Sequence, residues 1–328
     1  MLQDDLQLIR KRIEEARNIA VFAHIRPDGD SVGSVMALGW ALEDMGKTVQ
    51  YVSVDPIPEH FQFLFQYTAD GKNPFVSEPK GADCYILPDI SSIDRGGDYF
   101  LTHPGQLPDI CIDHHISNPG YARLNYVEAE SPAACAVLAK IMPQLGMTLS
   151  KRVSSALLCG IITDTNSFAN SNVNAESLRS AATLVDNGAD IFWICYLAYK
   201  QHTPAEMAYW KTGMNNLHVD GELIWTVIRK KDREAIGYDS DEDPGFVSYM
   251  VNTEGVKVSV LFTETNEGYT KISWRSLPGY NVADVALAHG GGGHKAASGA
   301  TIKERTIDEL IPVVLENTKK MLFKENKK

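Results

Sequence analysis

No Cys-x-x-Cys pair occurs among the five cysteines, Cys84, Cys111, Cys135, Cys159 and Cys195, and their wide spacing argues against both a zinc ribbon and a disulfide framework. Most of them sit in apolar runs, the pattern of reduced, buried thiols in a reducing compartment. Long hydrophobic runs are also lacking: none reaches the roughly 18 apolar residues of a membrane span. Met1 to Arg17 alternates charge with apolar residues and has no continuous apolar core, so it does not read as a signal peptide. These absences point to a cytoplasmic protein without a membrane partner. A basic excess is missing too. The formal net charge of -11 argues against a general coat for long duplex nucleic acid, which needs a basic face to displace counterions. A small anionic substrate needs only local positive charge, and a bound metal adds charge that the formal count omits.

What is present fits a globular chain of two domains: 328 residues, 44% hydrophobic and 22% charged. An amphipathic helix is expected over Leu2 to Arg17, then a buried strand over Ile19 to Ala23 and a helix over Val35 to Met45. Strands follow at Lys47 to Val54, Asp83 to Leu87 and Asp109 to Ile112, with a short helix over Pro56 to Phe65 and an extended piece over Ala122 to Val127. Helices then read over Pro132 to Leu145, Lys151 to Ile162, Ala175 to Asn187, Ile191 to Tyr199 and Pro204 to Leu217. Beyond them the texture changes to alternating strands at Leu223 to Arg229, Lys257 to Thr263 and Tyr269 to Arg275. The acidic stretch Asp239 to Pro244 reads as a solvated loop. A helix over Glu309 to Phe323 closes the chain, and Lys327-Lys328 reads as a tail. The fold class is therefore α/β: a parallel-sheet domain with flanking helices, then a smaller mixed α/β domain, with the boundary near residues 200 to 218.

Chemistry concentrates where strands end. The first strand runs into His24-Ile25-Arg26-Pro27-Asp28-Gly29-Asp30-Ser31, a turn forced by Pro27 and Gly29 that opens a helix. Asp30 or Ser31 as an N-cap would explain part of this stretch. Two later strands, however, end in Pro88-Asp89 and in Asp113-His114-His115, and a helix runs into Thr163-Asp164, so turn preference alone does not account for the pattern. Oxygen and imidazole donors without thiolate suit Mn²⁺, Mg²⁺ or Fe²⁺ better than structural zinc, although Zn²⁺ is chemically compatible. Two such ions about 3.5 to 4 Å apart can share a bridging carboxylate and a water that becomes a nucleophile near neutral pH. Asp28, Asp30, Asp89 and Asp164 would cancel the charge of two divalent ions, leaving a bound phosphate in need of further donors. Arg275 and the run His289-Gly290-Gly291-Gly292-Gly293-His294-Lys295 offer them, because glycines let backbone N–H groups approach an anion. A flexible linker would explain the glycines, but not histidines on both flanks. It is not a Walker loop, since Ala296 follows Lys295.

These motifs, in this order, resemble the DHH phosphoesterases, in the branch with a DHH-associated C-terminal domain, and within it the nanoRNase and pAp phosphatase group. The motifs are His24-x-x-Pro27-Asp28-x-Asp30-x-x-Gly33-Ser34, Asp89 with Asp94-Arg95, Asp113-His114-His115, Gly160-Ile161-Ile162-Thr163-Asp164-Thr165, and Arg275 with Gly290 to His294. The resemblance spans nearly the whole chain. It implies a catalytic domain over residues 1–200, a helical connector over 201–218 and a substrate-binding domain over 219–328. It implies two divalent ions, manganese being the usual one, with His24, Asp28 and Asp89 on the first, and Asp30, Asp89, His114 and Asp164 on the second. Asp89 would bridge them. His115 would contact the scissile phosphate, and Asp113 would orient His114 from behind. Arg275, Gly291, Gly292, Gly293 and His294 would bind the substrate's phosphate or terminal nucleotide, with Arg95 as a further phosphate contact. The activity implied is hydrolysis of oligoribonucleotides of two to five nucleotides or of 3′-phosphoadenosine 5′-phosphate. Alternatives are a linear dinucleotide phosphodiesterase, an inorganic pyrophosphatase and a non-catalytic nucleotide-binding protein. A homodimer is common among such enzymes. The aromatics Trp193, Tyr196, Tyr199, Tyr209 and Trp210 read as core or interface.

Overall fold

The computed structural model of the chain describes residues 4–170 and 172–323. The tail at Lys327-Lys328, and the start of the first expected helix at Leu2, lie outside them. The chain divides into two compact units, Met1–Gln201 and His202–Lys328.

Six strands build the first unit: β1 (Asn18–Phe22), β2 (Thr48–Val52), β3 (Phe75–Val76), β4 (Cys84–Pro88), β5 (Ile110–Asp113) and β6 (Leu124–Val127). They pair in parallel in the order β3-β2-β1-β4-β5-β6. A parallel sheet covered on both faces needs apolar residues at consecutive positions, and β1 and β4 supply them. Ile19, Val21, Cys84 and Ile86 enter the main core with the helices Gly29–Asp44, Ala134–Ile141 and Lys151–Asp164. Ala20, Phe22, Tyr85 and Leu87 point the other way into a smaller cluster with Phe100. Strand order reverses between β1 and β4. In open α/β sheets the carboxyl ends of strands at such a reversal flank a ready-made crevice.

Three local readings change. The piece expected as merely extended over Ala122 to Val127 contains β6, paired to β5 in register Ile110↔Leu124. Strand β3 has only two residues, too few for periodicity to show. The helix expected over Ile191 to Tyr199 is α-helical at Ile191–Cys195 and widens into a π-helix at Tyr196–Lys200.

In the second unit, β7 (His218–Asp220), β8 (Leu223–Ile228), β9 (Val258–Glu264), β10 (Thr270–Ser276), β11 (Gly292–His294) and β12 (Ala297–Ile302) form a mixed sheet in the order β11-β12-β10-β9-β8-β7. Only β8 and β9 pair in parallel among these strands. Val258, Val260, Phe262, Ile272 and Trp274 face the helices Val282–Ala288 and Ile307–Leu322. Ile224, Ile228 and Leu261 face Tyr209, Phe246 and Val247 on the opposite side. Within residues 201–218, expected as a helical connector, the helix Pro204–Asn215 inserts Tyr209, fully buried, into the core of this unit. The acidic stretch is not simply solvated. Asp241 accepts a hydrogen bond from the buried Arg233 at 2.7 Å, and Asp243 accepts from the first two amides of the helix Phe246–Met250.

Candidate metal centre

His24 is the second residue past β1, and its backbone amide donates to Ser31 Oγ at 3.0 Å. Its Nδ1 lies 2.9 Å from the carbonyl of Ile25, which leaves Nε2 facing Asp28 Oδ1 and Asp89 Oδ2, each at 3.5 Å. Asp28, rather than Asp30 or Ser31, is the N-cap of the helix Gly29–Asp44: its Oδ1 accepts from the amides of Asp30 and Ser31 at 3.1 and 3.0 Å. Capping and metal binding are compatible, since a carboxylate has lone pairs for both.

Asp30, the second residue of that helix, is completely buried. The helix Ala134–Ile141 presents its first amides to it, Ala134 N–H to Oδ2 at 2.6 Å and Cys135 N–H to Oδ1 at 2.9 Å. Such unpaired amide donors at a helix start suit a carboxylate. Close helix contact makes this possible. A Cβ on Gly33 would lie 2.5 Å from the carbonyl of Ala156, and one on Gly160 would lie 2.3 Å from Cys135 Sγ and 2.6 Å from Asp30 Oδ1. Only glycine fits at either position, and both occur in the motifs around the cluster.

Asp89 follows β4 in a left-handed conformation, φ +56°, uncommon for a residue with a side chain. That turn places one carboxylate between two groups of donors. Oδ2 faces His24; Oδ1 lies 3.5 Å from His114 Nε2 and 3.7 Å from His115 Nδ1. Among the described residues Asp89 Oδ1 is buried without a hydrogen-bond partner, and a buried charged oxygen in that state requires a cation or a proton. His114 Nε2 also faces Asp164 Oδ2 at 3.4 Å and Asp30 Oδ2 at 3.9 Å, while its Nδ1 lies 3.2 Å from the carbonyl of Ser131. The ligand atoms of His24, Asp28 and Asp89 thus gather in one group, and those of Asp30, His114 and Asp164 in another. Asp89 touches both. Hard oxygen and imidazole donors of this kind fit divalent cations.

The second histidine of the pair has a different neighbour from the one expected. Asp113 Oδ1 accepts from His115 Nδ1 at 2.8 Å, so it orients the ring of His115 and not that of His114, whose backbone amide alone it holds, at 2.8 Å. Asn118 Nδ2 donates to the other oxygen of Asp113 at 2.6 Å. Asp113 is itself fully buried and acts through His115. Arg95 is half-buried beside the centre, with Nη2 3.4 Å from His24 Nδ1 and its carbonyl accepting from Ile25 N–H at 2.7 Å. It braces the His24 turn.

Ionisation in the metal-free cluster follows from crowding. Burial lowers the basicity of His24, but the hydrogen bonds and charges of Asp28 and Asp89 outweigh it and raise the imidazole to about 10. His114 likewise loses basicity to burial and regains more from Asp89, Asp30 and Asp164, reaching about 10. Burial, then the charge of Asp89, pushes Asp30 up to about 7, and the same causes with Asp30 push Asp164 well above the carboxylate range. The site accumulates negative charge that it holds by retaining protons. A pair of divalent ions would replace them.

The second unit carries the remaining expected residues. A groove of about 330 Å³ is lined by Lys271, Ser273, Arg275, Gly292 and Gly293 with Glu242 and Asp243 at its side. Arg275, on β10, is half-buried and donates from Nη1 to the carbonyl of Trp274 at 2.9 Å. Gly293 has φ +137°, and a Cβ there would lie 2.7 Å from the carbonyl of Ala297, so the hairpin of β11 and β12 requires glycine. Gly291 packs on the backbone of Gly299, and His294 is exposed on β11; neither is among the residues lining the groove. The glycine run is an edge strand and its turn, not a linker.

Residues 18–161 match the DHH family, N-terminal domain, and residues 226–320 match the DHHA1 domain. The chain belongs to the DHH family. It is 31% identical over 305 residues to the bifunctional oligoribonuclease and PAP phosphatase NrnA of Thermus thermophilus, covering 93% of this chain and 90% of that one. The Mycoplasma genitalium protein of the same name is 27% identical, with 95% and 96% covered. Among solved structures, an exopolyphosphatase-related protein from Bacteroides fragilis superimposes with a TM-score of 0.86 at 22% identity, over 96% of this chain and 95% of that one. Family membership makes the chain a hydrolase of phosphate ester bonds. Sequence reasoning missed Asn118, the carbonyl of Ser131 and the amides of Ala134 and Cys135. The one signal available was Ser131-Pro132 as the start of the following helix.

Proposed function

We propose that this chain hydrolyses the ester bonds of very short oligoribonucleotides and the 3′-phosphate of 3′-phosphoadenosine 5′-phosphate, in the cytoplasm, with two divalent ions, manganese foremost, as cofactor. The observation that carries the reading is the buried Oδ1 of Asp89, which has no hydrogen bond among the described residues and stands between two groups of nitrogen and oxygen donors. His24, Asp28 and Asp89 would hold one ion, and Asp30, Asp89, His114 and Asp164 the other. Bound there, such ions supply Lewis acidity toward a phosphate oxygen and a nucleophile from water near neutral pH.

The chain's own residues do the rest. His115, with Nδ1 tied to Asp113, keeps Nε2 for a phosphate oxygen and offsets charge as the transition state develops. The oxygen of water bonds to phosphorus, the P–O ester bond breaks, and the departing oxygen takes up a proton. Arg275 and Lys271 bind a second phosphate of the substrate by charge-assisted hydrogen bonds. The names of the Thermus and Mycoplasma relatives support this substrate class.

The test is a manganese assay over pAp, pApA, five-nucleotide RNA, cyclic di-AMP and pyrophosphate. Release of mononucleotides from the first three, with the last two inert, is the expected result. Pyrophosphate as the best substrate would overturn the reading, as would turnover of none of the five.

A further inference from the structure

Charge in the groove of the second unit is mixed, which a seat for phosphate alone does not require. Lys271 and Arg275 supply cations, while Glu242 and Asp243 bring carboxylates to the same groove. Asp243 is committed to the fold: its two oxygens accept from the amides of Phe246 and Val247, each at 3.0 Å. Glu242 has no such task. Its Oε2 meets Lys271 Nζ at 2.6 Å, and its side chain remains 78% exposed. An exposed ion pair of this kind adds little to stability.

The loop nevertheless holds the backbone of this residue in place from both sides. The amide of Glu242 donates to Ser240 Oγ at 3.1 Å, and its carbonyl accepts from Tyr238 O–H at 2.9 Å. The buried Arg233 fixes the carbonyl of Ser240 and the carboxylate of Asp241, at 2.6 and 2.7 Å. Trp210 Nε1 donates to the carbonyl of Pro244 at 3.2 Å. A rigid backbone thus presents one carboxylate beside one ammonium. The ammonium has three N–H donors, and Glu242 occupies one of them.

We propose that Glu242 is a specificity-determining residue that accepts a hydrogen bond from a ribose 2′-hydroxyl while Lys271 binds a phosphate oxygen, so that the groove selects ribonucleotides over deoxyribonucleotides. Within a nucleotide chain the 3′ oxygen is esterified, so the 2′-hydroxyl is the one sugar donor left, and it is what separates RNA from DNA. A deoxyribose places a C–H against the carboxylate oxygen not paired with Lys271 and displaces its water without replacing that hydrogen bond, which sites built around a hydroxyl reject. This inference rests on the groove's being the seat of a substrate phosphate.

The experiment compares kcat/KM for pApA and its 2′-deoxy counterpart in the unaltered protein, Glu242→Ala and Lys271→Ala, all full-length and with manganese. The unaltered protein is expected to prefer the ribose form. Glu242→Ala lowers the ribose value about tenfold and leaves the deoxyribose value within about twofold, the loss expected for a hydrogen bond to a charged group. Lys271→Ala lowers both alike. An unchanged ribose-to-deoxyribose ratio in Glu242→Ala overturns the proposal, and so does an equal drop in KM for both substrates, which would make Glu242 a competitor of phosphate for Lys271. Hydrolysis of pApA by the unaltered protein separates those outcomes from failure of the functional reading; with no hydrolysis of either substrate, both fall.

Discussion

The two units present opposite designs. In the first, Asp30, Asp89 and His24 are buried while Asp28 is exposed, and neighbours fix several of the candidate ligands: the amides of residues 134 and 135 hold Asp30, the carbonyl of Ser131 lies beside His114, and the Asp113 carboxylate stands behind His115. In the second, the cations line an open groove beside the exposed carboxylate of Glu242, and Arg275 has no carboxylate within ion-pairing distance among the described residues. The contrast teaches that a cluster of like charges must be built rigid, because close-packed helices and pre-set dipoles hold four carboxylates together, whereas under the proposed function the groove, as a substrate seat, would stay solvated until it is filled.

If that division of labour holds, damage to the first unit falls on the chemical step and on metal, and damage to the second on substrate binding. Replacing Asp89 with Ala removes the carboxylate common to both donor groups, and turnover should fall on the order of a thousandfold or more. Near-normal manganese-dependent hydrolysis would erase the contrast. Asp113→Asn should reduce kcat by about 10- to 100-fold, as loss of an orienting partner does. Its KM should hardly change; a change in KM alone would move His115 to the substrate-binding side. Arg275→Ala should raise KM by about tenfold, through the loss of a charged hydrogen bond, with kcat nearly intact.

Ionisation sharpens the comparison further, with a smaller effect. In the metal-free protein His24 and His114 are raised to about 10, so their pairing with carboxylates contributes stability that is complete below about 6.5 and fades as pH climbs through 10. Asp30, raised to about 7, works in the same direction: its contribution is lost as pH rises toward that value. Metal requires the deprotonated groups, so the stabilisation it adds must grow over the same range. The gap in melting temperature between manganese-loaded and chelator-treated protein should therefore widen from about pH 6 to about pH 8. A constant gap would mean that the cations do not replace protons at these residues.

Much of the first unit was legible in the sequence because each key residue stands at a strand or helix end: His24 after an apolar run, Asp89 after Pro88, His114 and His115 after Asp113. Ends of apolar strands are visible to periodicity. Contacts across the sheet are not, which is why the clamp on Asp30 from residues more than a hundred positions away, and the choice of His115 as the partner of Asp113, had to come from the structure. The acidic stretch misled for a related reason. Six residues of acid, serine and proline look solvated, and nothing local announces that Arg233 is buried against them.

Titration of the full chain with Mn²⁺, followed by calorimetry, tests the central claim most directly. Two ions should bind each unaltered chain, releasing protons as they enter, and Asp89→Ala should lose both high-affinity sites together. Retention of a complete, tight site in Asp89→Ala, or a single ion in the unaltered protein, would contradict a carboxylate shared between two cations.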